Sequence, residues 1–286
     1  MSRKRSAILL ITCPDRQGLV AVVTKFLSEH NGNILDLDQH VDMEENVFFA
    51  RIEWDLAGFS IREEEIGARF GAVAKRYGMT WELHFSNRVI RMAVFVSRAS
   101  HCLHDILSHY EAGDWSVKIP LIISNHSGLE PVARRHGIGF HHFPVTKQTR
   151  REQEDQIMDL LERERIGLVV LARYMQILTP EFVARFPNRI INIHHSFLPS
   201  FTGSRPYHRA YSRGVKNIGA TAHYVTAELD GGPIIEQDVI RVSHRNSVGD
   251  FIRKGKELEK IVLSRAIWFH LQREIIVYDN KTMVFD

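Results

Sequence analysis

From Val89 onward, short apolar runs of strand length alternate with stretches at helical spacing: Val89 to Val96, Cys102 to Tyr110, Val117 to Ile123, Leu129 to His136, Gly139 to His142, Gln148 to Arg163 and Gly167 to Leu171. A strand buried on both faces reads as a continuous apolar run. A helix between two such runs carries the chain back so that the strands pair in parallel. The pattern therefore predicts a doubly wound, mostly parallel α/β domain over 87–286, with ligands held at the carboxyl ends of its strands.

Before Ser86 the order differs. Ala7 to Thr12 is a short apolar run, and a helix follows from Asp15 to His30 with Leu19, Val22, Val23, Phe26 and Leu27 at helical spacing. Ile34 to Val41 and Val47 to Trp54 form a hairpin about Glu44-Glu45-Asn46, Arg62 to Tyr77 is a second amphipathic helix, and Thr80 to Phe85 is a last strand. Two helices on one face of an antiparallel sheet make a ferredoxin-like α+β unit. The boundary falls near Ser86-Asn87-Arg88, giving domains over 1–86 and 87–286, and 286 residues suffice for two cores.

The charge balance narrows the partners. With 37 basic against 34 acidic residues the net charge is +3, too small a margin for a nucleic-acid partner. Apolar runs such as Ile166 to Ala172 fall far below the roughly 20 residues of a membrane helix. Ile8 to Ile11 is too short for an export signal before it meets Cys13-Pro14-Asp15. Two cysteines, Cys13 and Cys102, are too few for a disulfide framework and suit the reducing cytoplasm. His101-Cys102-Leu103-His104 has no second Cys or His pair at matching spacing, so it reads as a helix start with a half-buried thiol, and no metal is expected.

Ile11-Thr12-Cys13-Pro14-Asp15-Arg16-Gln17-Gly18-Leu19-Val20, followed by Asn31-Gly32-Asn33-Ile34, resembles an ACT domain. The resemblance implies side-by-side pairing into a homo-oligomer, an amino-acid effector such as glycine or methionine, and a regulatory site near Asp15, Gly18 and Asn33. On the residues alone, Asp15 is a helix cap and Gly18 relieves a tight turn. Both readings are open.

Arg189 to Asn192 reads as another inner strand and runs into Asn192-Ile193-His194-His195-Ser196-Phe197-Leu198-Pro199. Residues two apart on extended backbone point the same way, so Asn192 and His194 project together where a ligand would lie. An amide and an imidazole side by side can donate hydrogen bonds to a carbonyl oxygen that gains charge under attack. Downstream, Leu229-Asp230-Gly231-Gly232-Pro233 puts a carboxylate in a turn whose glycines let the backbone approach a ligand. Asp230 can orient a water, or accept its proton and keep His194 charged. Taken singly, each of these residues is as readily a cap or turn former.

Together with His223-Tyr224-Val225-Thr226, these motifs resemble the formyltransferase fold of folate enzymes such as glycinamide ribonucleotide formyltransferase. The matching Asn, His and Asp form that family's active site, which implies catalytic roles for Asn192, His194 and Asp230, with His195, Ser196 and His223 supporting them. The resemblance also implies a pterin pocket along Arg173-Tyr174-Met175-Gln176-Ile177-Leu178. Met175, Gln176, Ile177, Leu178 and Thr226 then contact folate, and backbone groups of Gln176 and Leu178 read the ring edge. By periodicity alone Met175 to Leu178 is plain core.

The ribonucleotide enzymes hold their substrate phosphate in a glycine-rich turn after the first strand. Here that place reads Val96-Ser97-Arg98-Ala99-Ser100-His101-Cys102, without glycine, so the expected acceptor of the formyl group is water. With Pro206-Tyr207-His208, Gly219-Ala220-Thr221-Ala222-His223 and Ile234-Ile235-Glu236-Gln237-Asp238, the whole chain resembles the formyltetrahydrofolate deformylase family. That implies hydrolysis of 10-formyltetrahydrofolate to formate and tetrahydrofolate, with no cofactor beyond the folate substrate. Formyl transfer to another small amine and a catalytically silent amino-acid sensor are the rival readings.

Overall fold

The computed structural model describes residues 5–146, 148–200 and 206–286. It divides into two compact units, one of residues up to Val89 with Gln272–Tyr278 and Met283–Asp286, the other of Ile90–Leu271 with Asp279–Thr282.

The first unit runs β1 (Ser6–Pro14), α1 (Leu19–Glu29), β2 (Asn33–Asp42), β3 (Val47–Asp55), α2 (Glu63–Tyr77) and β4 (Thr80–Phe85). Its antiparallel sheet has the order β2-β3-β1-β4, as the hairpin and the two amphipathic helices require. Leu9 and Ile11 face Val23, Phe26 and Leu27 of α1 and Ile66 and Phe70 of α2. Asp15 does not cap α1: the N-cap is Gly18, whose φ of 92° is the left-handed conformation that a residue with a Cβ adopts only under strain.

The alternate residues of β1, Ile8 and Leu10, are also buried, and here the linear division at residue 86 needs correction. Ile276, from the C-terminal strand Ile275–Tyr278, and Phe285, which follows the strand Lys281–Val284, pack with them and with Val47 and Phe49. A sheet that is apolar on both faces needs a second cover. Residues 272–278 and 283–286 therefore group with the N-terminal unit, although they follow the α/β region in sequence.

The second unit runs β5 (Ile90–Val96), α3 (His101–Ala112), β6 (Val117–Ser124), α4 (Glu130–Arg135), β7 (Gly139–His142), α5 (Arg150–Arg163), β8 (Leu168–Leu171), α6 (Pro180–Arg185), β9 (Ile190–His194), α7 (Pro206–Arg213), β10 (Asn217–Tyr224), β11 (Ile234–Arg241) and α8 (Val248–Leu271). The seven-stranded sheet has the order β11-β10-β9-β8-β5-β6-β7. β5 to β9 pair in parallel, while β10 and β11 add antiparallel strands beyond β9. The chain leaves β5 for β6 on one side and returns to β8 on the other, so the strand order switches between β5 and β8. A crevice opens at the carboxyl ends of strands at such a point.

Candidate active site

That crevice is a cavity of about 550 Å³, formed by residues following β5, β8 and β9 and by the loop after β10. Asn192, His194 and Asp230 all line it. β9 extends through His194, two residues beyond the expected strand end, because β10 pairs with it there: Thr221 lies opposite His194 and His223 opposite Asn192. Asn192 and His194 therefore share one face of one strand, and cross-strand pairing places His223 beside them.

The polar contacts give each group a direction. Asn192 Nδ2 lies 3.1 Å from His223 Nε2, and His223 Nδ1 lies 2.9 Å from the carbonyl of Tyr224. His223 thus donates from Nδ1 to the backbone and accepts the Asn192 amide at Nε2, leaving the second amide hydrogen of Asn192 for a ligand. His194 Nδ1 is 3.3 Å from Asp230 Oδ1, and His223 Nε2 is 3.7 Å from the same oxygen. His194 Nε2 is buried and has no hydrogen-bond partner among the described residues. His194 holds the Asp230 carboxyl well below the usual carboxylate range, against the opposing effect of burial, while His223, whose Nε2 lone pair takes the Asn192 amide, does not donate to it.

Asp230 stands in left-handed backbone, with φ of 55°, which Asp tolerates better than most residues. Of the two glycines after it, Gly232 is required by the fold of the turn itself. A Cβ on Gly232 would stand 1.9 Å from the carbonyl oxygen of Tyr224, where the backbone closes back on β10 through the bond from Tyr224 N to the Pro233 carbonyl. Gly232 therefore fixes where the Asp230 turn sits.

Met175, Gln176, Ile177, Leu178 and Thr226 also line the cavity. Met175 and Ile177 are 59% and 55% exposed, which removes the plain-core reading for them; Leu178 is half-buried against the apolar core. The loop is pinned at both ends. Ser97 Oγ donates to Asn125 Oδ1 at 2.6 Å and accepts from Met175 N at 2.9 Å, while Glu154 accepts from the backbone N of Thr179 at 3.2 Å and from its hydroxyl. His195 lines the cavity too, and burial, with Arg173 nearby, pushes its imidazole down to about 3, so it stays neutral. Ser196 does not face this cavity; its hydroxyl donates to the Ser200 carbonyl and secures the loop after β9.

Sequence reasoning passed over Glu259, which lines the cavity from α8 with His101 and Tyr207. It sits in the charged run Lys254 to Lys260, yet it falls on the buried stripe of Phe251, Gly255, Leu258, Val262 and Leu263. That periodicity was the available signal. Cys102 is fully buried instead of half-buried, and burial pushes its thiol far up. Asp15 and Gly18 share the turn after β1, but Asn33 opens β2 at the opposite end of α1, so one chain does not bring these three together.

The sequence matches the formyl transferase family over residues 90–267. A formyltetrahydrofolate deformylase of Synechocystis is 52% identical over 280 residues, covering 98% of each chain. The crystal structure of a formyltetrahydrofolate deformylase from Pseudomonas syringae superposes with a TM-score of 0.97 at 43% identity, covering 100% of this chain and 96% of that one. Glycinamide ribonucleotide transformylase 1 from Symbiobacterium toebii gives a TM-score of 0.66 at 31% identity, over 72% of this chain and 98% of its own. The formyltransferase-type α/β fold is common to all of these, and near-full-length identity extends to the deformylases alone among the three: the chain belongs to the formyltetrahydrofolate deformylase family.

Proposed function

We infer that this chain hydrolyses 10-formyltetrahydrofolate to formate and tetrahydrofolate, and that Asn192, His194 and Asp230 carry the reaction. One observation supports this above the others: His194 Nε2 is buried and unpartnered beside the cavity while its Nδ1 faces an ionised Asp230. An imidazole held in that way aims its Nε2 at the cavity, where it can donate to a carbonyl oxygen.

The chemistry follows from the donors. The formyl oxygen takes hydrogen bonds from Asn192 Nδ2 and His194 Nε2, and Asp230 orients a water toward the formyl carbon. Attack forms a carbon–oxygen bond, moves the carbonyl electron pair onto the held oxygen and passes a water proton to Asp230. Collapse breaks the bond to N10, which takes a proton from His194; the Asp230 proton replaces it on His194, and formate leaves. The exposed Met175 and Ile177, with Gln176, Leu178 and Thr226, receive the folate ring. The donor set supports a reaction that draws on no metal or further cofactor.

The N-terminal unit is read as a regulatory ACT domain, and the working molecule as a cytoplasmic homo-oligomer. Leu35 and Leu37 are exposed on β2, an edge strand paired on one side only, which favours pairing with a second copy. Antiparallel pairing about a two-fold axis would bring Asp15 and Gly18 of one copy toward Asn33 of the other, as one chain alone does not. Cys13 and Cys102 are both free and buried, in keeping with a reducing compartment. No helix among the described residues is long and apolar enough to cross a membrane.

The test is formate release from 10-formyltetrahydrofolate without added amine. Stoichiometric release by the unaltered chain, lost in Asp230→Asn, is the expected result; no release from a folate-binding protein would move the reading to transfer or sensing. For the N-terminal unit, calorimetry with glycine and with methionine should give heat and a change in turnover. No heat and unchanged turnover with either would leave pairing as its role.

A further inference from the structure

Asp230 is followed by Gly231 and Gly232, the residue type with the greatest backbone freedom. A carboxylate that aims a water at one carbon must nonetheless be closely held, since a misplacement of about 1 Å costs on the order of 100-fold in rate. Within the turn, Gly231 N bonds to the Glu228 carbonyl at 3.3 Å, and Tyr224 N closes on the Pro233 carbonyl at 2.9 Å. The Gly231 carbonyl is held from a distant part of the sequence: Asn280 Nδ2 donates to it at 2.8 Å. The Thr282 hydroxyl likewise donates to the Ile234 carbonyl at 2.5 Å.

The C-terminal hairpin presents these two side chains. Its strands β12 (Ile275–Tyr278) and β13 (Lys281–Val284) pair with each other and are joined by Asp279 and Asn280 alone. Asp279 takes the positive φ, 50°, that so short a hairpin turn demands, and Asp and Asn suit such positions. On either side of the tip, Ile276 and Phe285 are buried among Ile8, Leu10, Val47 and Phe49. The tip itself, Asp279–Thr282, groups with the α/β unit. Asn280 is thus carried by an anchored hairpin with a tightly defined turn. Asp230 lines the catalytic cavity and Asn280 does not, so Asn280 can act only through the turn.

We propose that Asn280 is a positioning residue for hydrolysis: by fixing the Gly231 carbonyl it sets where the Asp230 carboxylate stands, with Thr282 holding the far side of the turn. Without the Asn280 bond, Gly231 and Gly232 regain backbone states in which the carboxylate no longer aims the water. The 175–178 loop that receives the folate ring is untouched, so the loss falls on turnover. The proposal rests on Asp230 orienting the attacking water.

The experiment follows formate release from 10-formyltetrahydrofolate by the full chain. Asn280→Asp keeps the size and turn preference of asparagine but loses the donor, whereas Asn280→Gln keeps the donor. In Asn280→Asp, kcat should fall about tenfold with KM within about twofold of the unaltered chain, and Asn280→Gln should recover most of that loss. A side chain that only shapes the hairpin would not distinguish the two, so equal kcat in the Asp and Gln variants, both folded by circular dichroism, would overturn the proposal. A rise in KM with kcat preserved would overturn it as well. Should Asn280→Asp not fold, Thr282→Val against Thr282→Ser makes the same comparison at the second bond, with a smaller fall expected in Val and recovery in Ser; equal kcat there would be the overturning result. Asp230→Asn is the control: turnover retained in that variant would fault the reading of Asp230 itself, so the two failures are distinguishable.

Discussion

The two sides of the catalytic cavity are built on opposite rules. Along 175–178 the apolar side chains of Met175 and Ile177 face solvent, while the groups that fix the loop, Ser97 and Glu154, are buried and hydrogen-bonded. On the β9 and β10 side the reverse holds: His194 and His223 are themselves buried, and their contacts run to one another's neighbours and to Asp230. Exposed apolar surface gains when a planar ligand covers it, an effect that favours binding in ground and transition states alike. Buried donors are worth most where charge develops. The first wall should therefore govern affinity and the second turnover.

Asn192→Ala gives the largest expected separation of the two. Loss of one oxyanion donor lowers kcat by about 100-fold or more while folate binding, followed by fluorescence quenching, is retained. A rise in KM with kcat preserved would show that Asn192 only holds the ground state, and the division between the walls would fail.

Ser97→Ala tests the opposite wall with a smaller effect. It leaves Met175 N and Asn125 Oδ1 without their partner, so the loop loses its fixed position and KM rises by about tenfold, the size expected of one unmade buried hydrogen bond. Steady-state kinetics should show kcat changed far less than KM. An equal fall in kcat would mean that the loop also positions the formyl group.

Most of this arrangement was legible in the sequence, for identifiable reasons. The apolar runs of β5, β6 and β8 are continuous because helices cover both faces, and Asn192 and His194 share a face because strand periodicity is two. Residues 272–278 and 283–286 group with the N-terminal unit because the partners of Ile276 and Phe285, Ile8 and Leu10, lie more than 260 residues away along the chain, and no local pattern encodes that pairing. Glu259 was passed over because its neighbours are charged, although its position on the apolar stripe of α8 marks it as buried. His223 was legible as a motif residue, but its place opposite Asn192 depends on the β9–β10 register, which is a tertiary fact.

The smallest expected effect concerns protons within the turnover wall. Asp230 must be ionised to orient water and to accept from His194 Nδ1, and a depressed pKa keeps it so as the pH falls through the ordinary carboxylate range near about 3.9. Activity that depends on this carboxylate is present above its folded pKa and is lost only as the pH drops through that lowered value. His223→Gln retains an acceptor for Asn192 and leaves His194 beside Asp230, so the acid limb of the kcat profile stays in place. A limb that moves to higher pH would show that His223 Nε2 donates to Asp230 and shares in keeping it ionised.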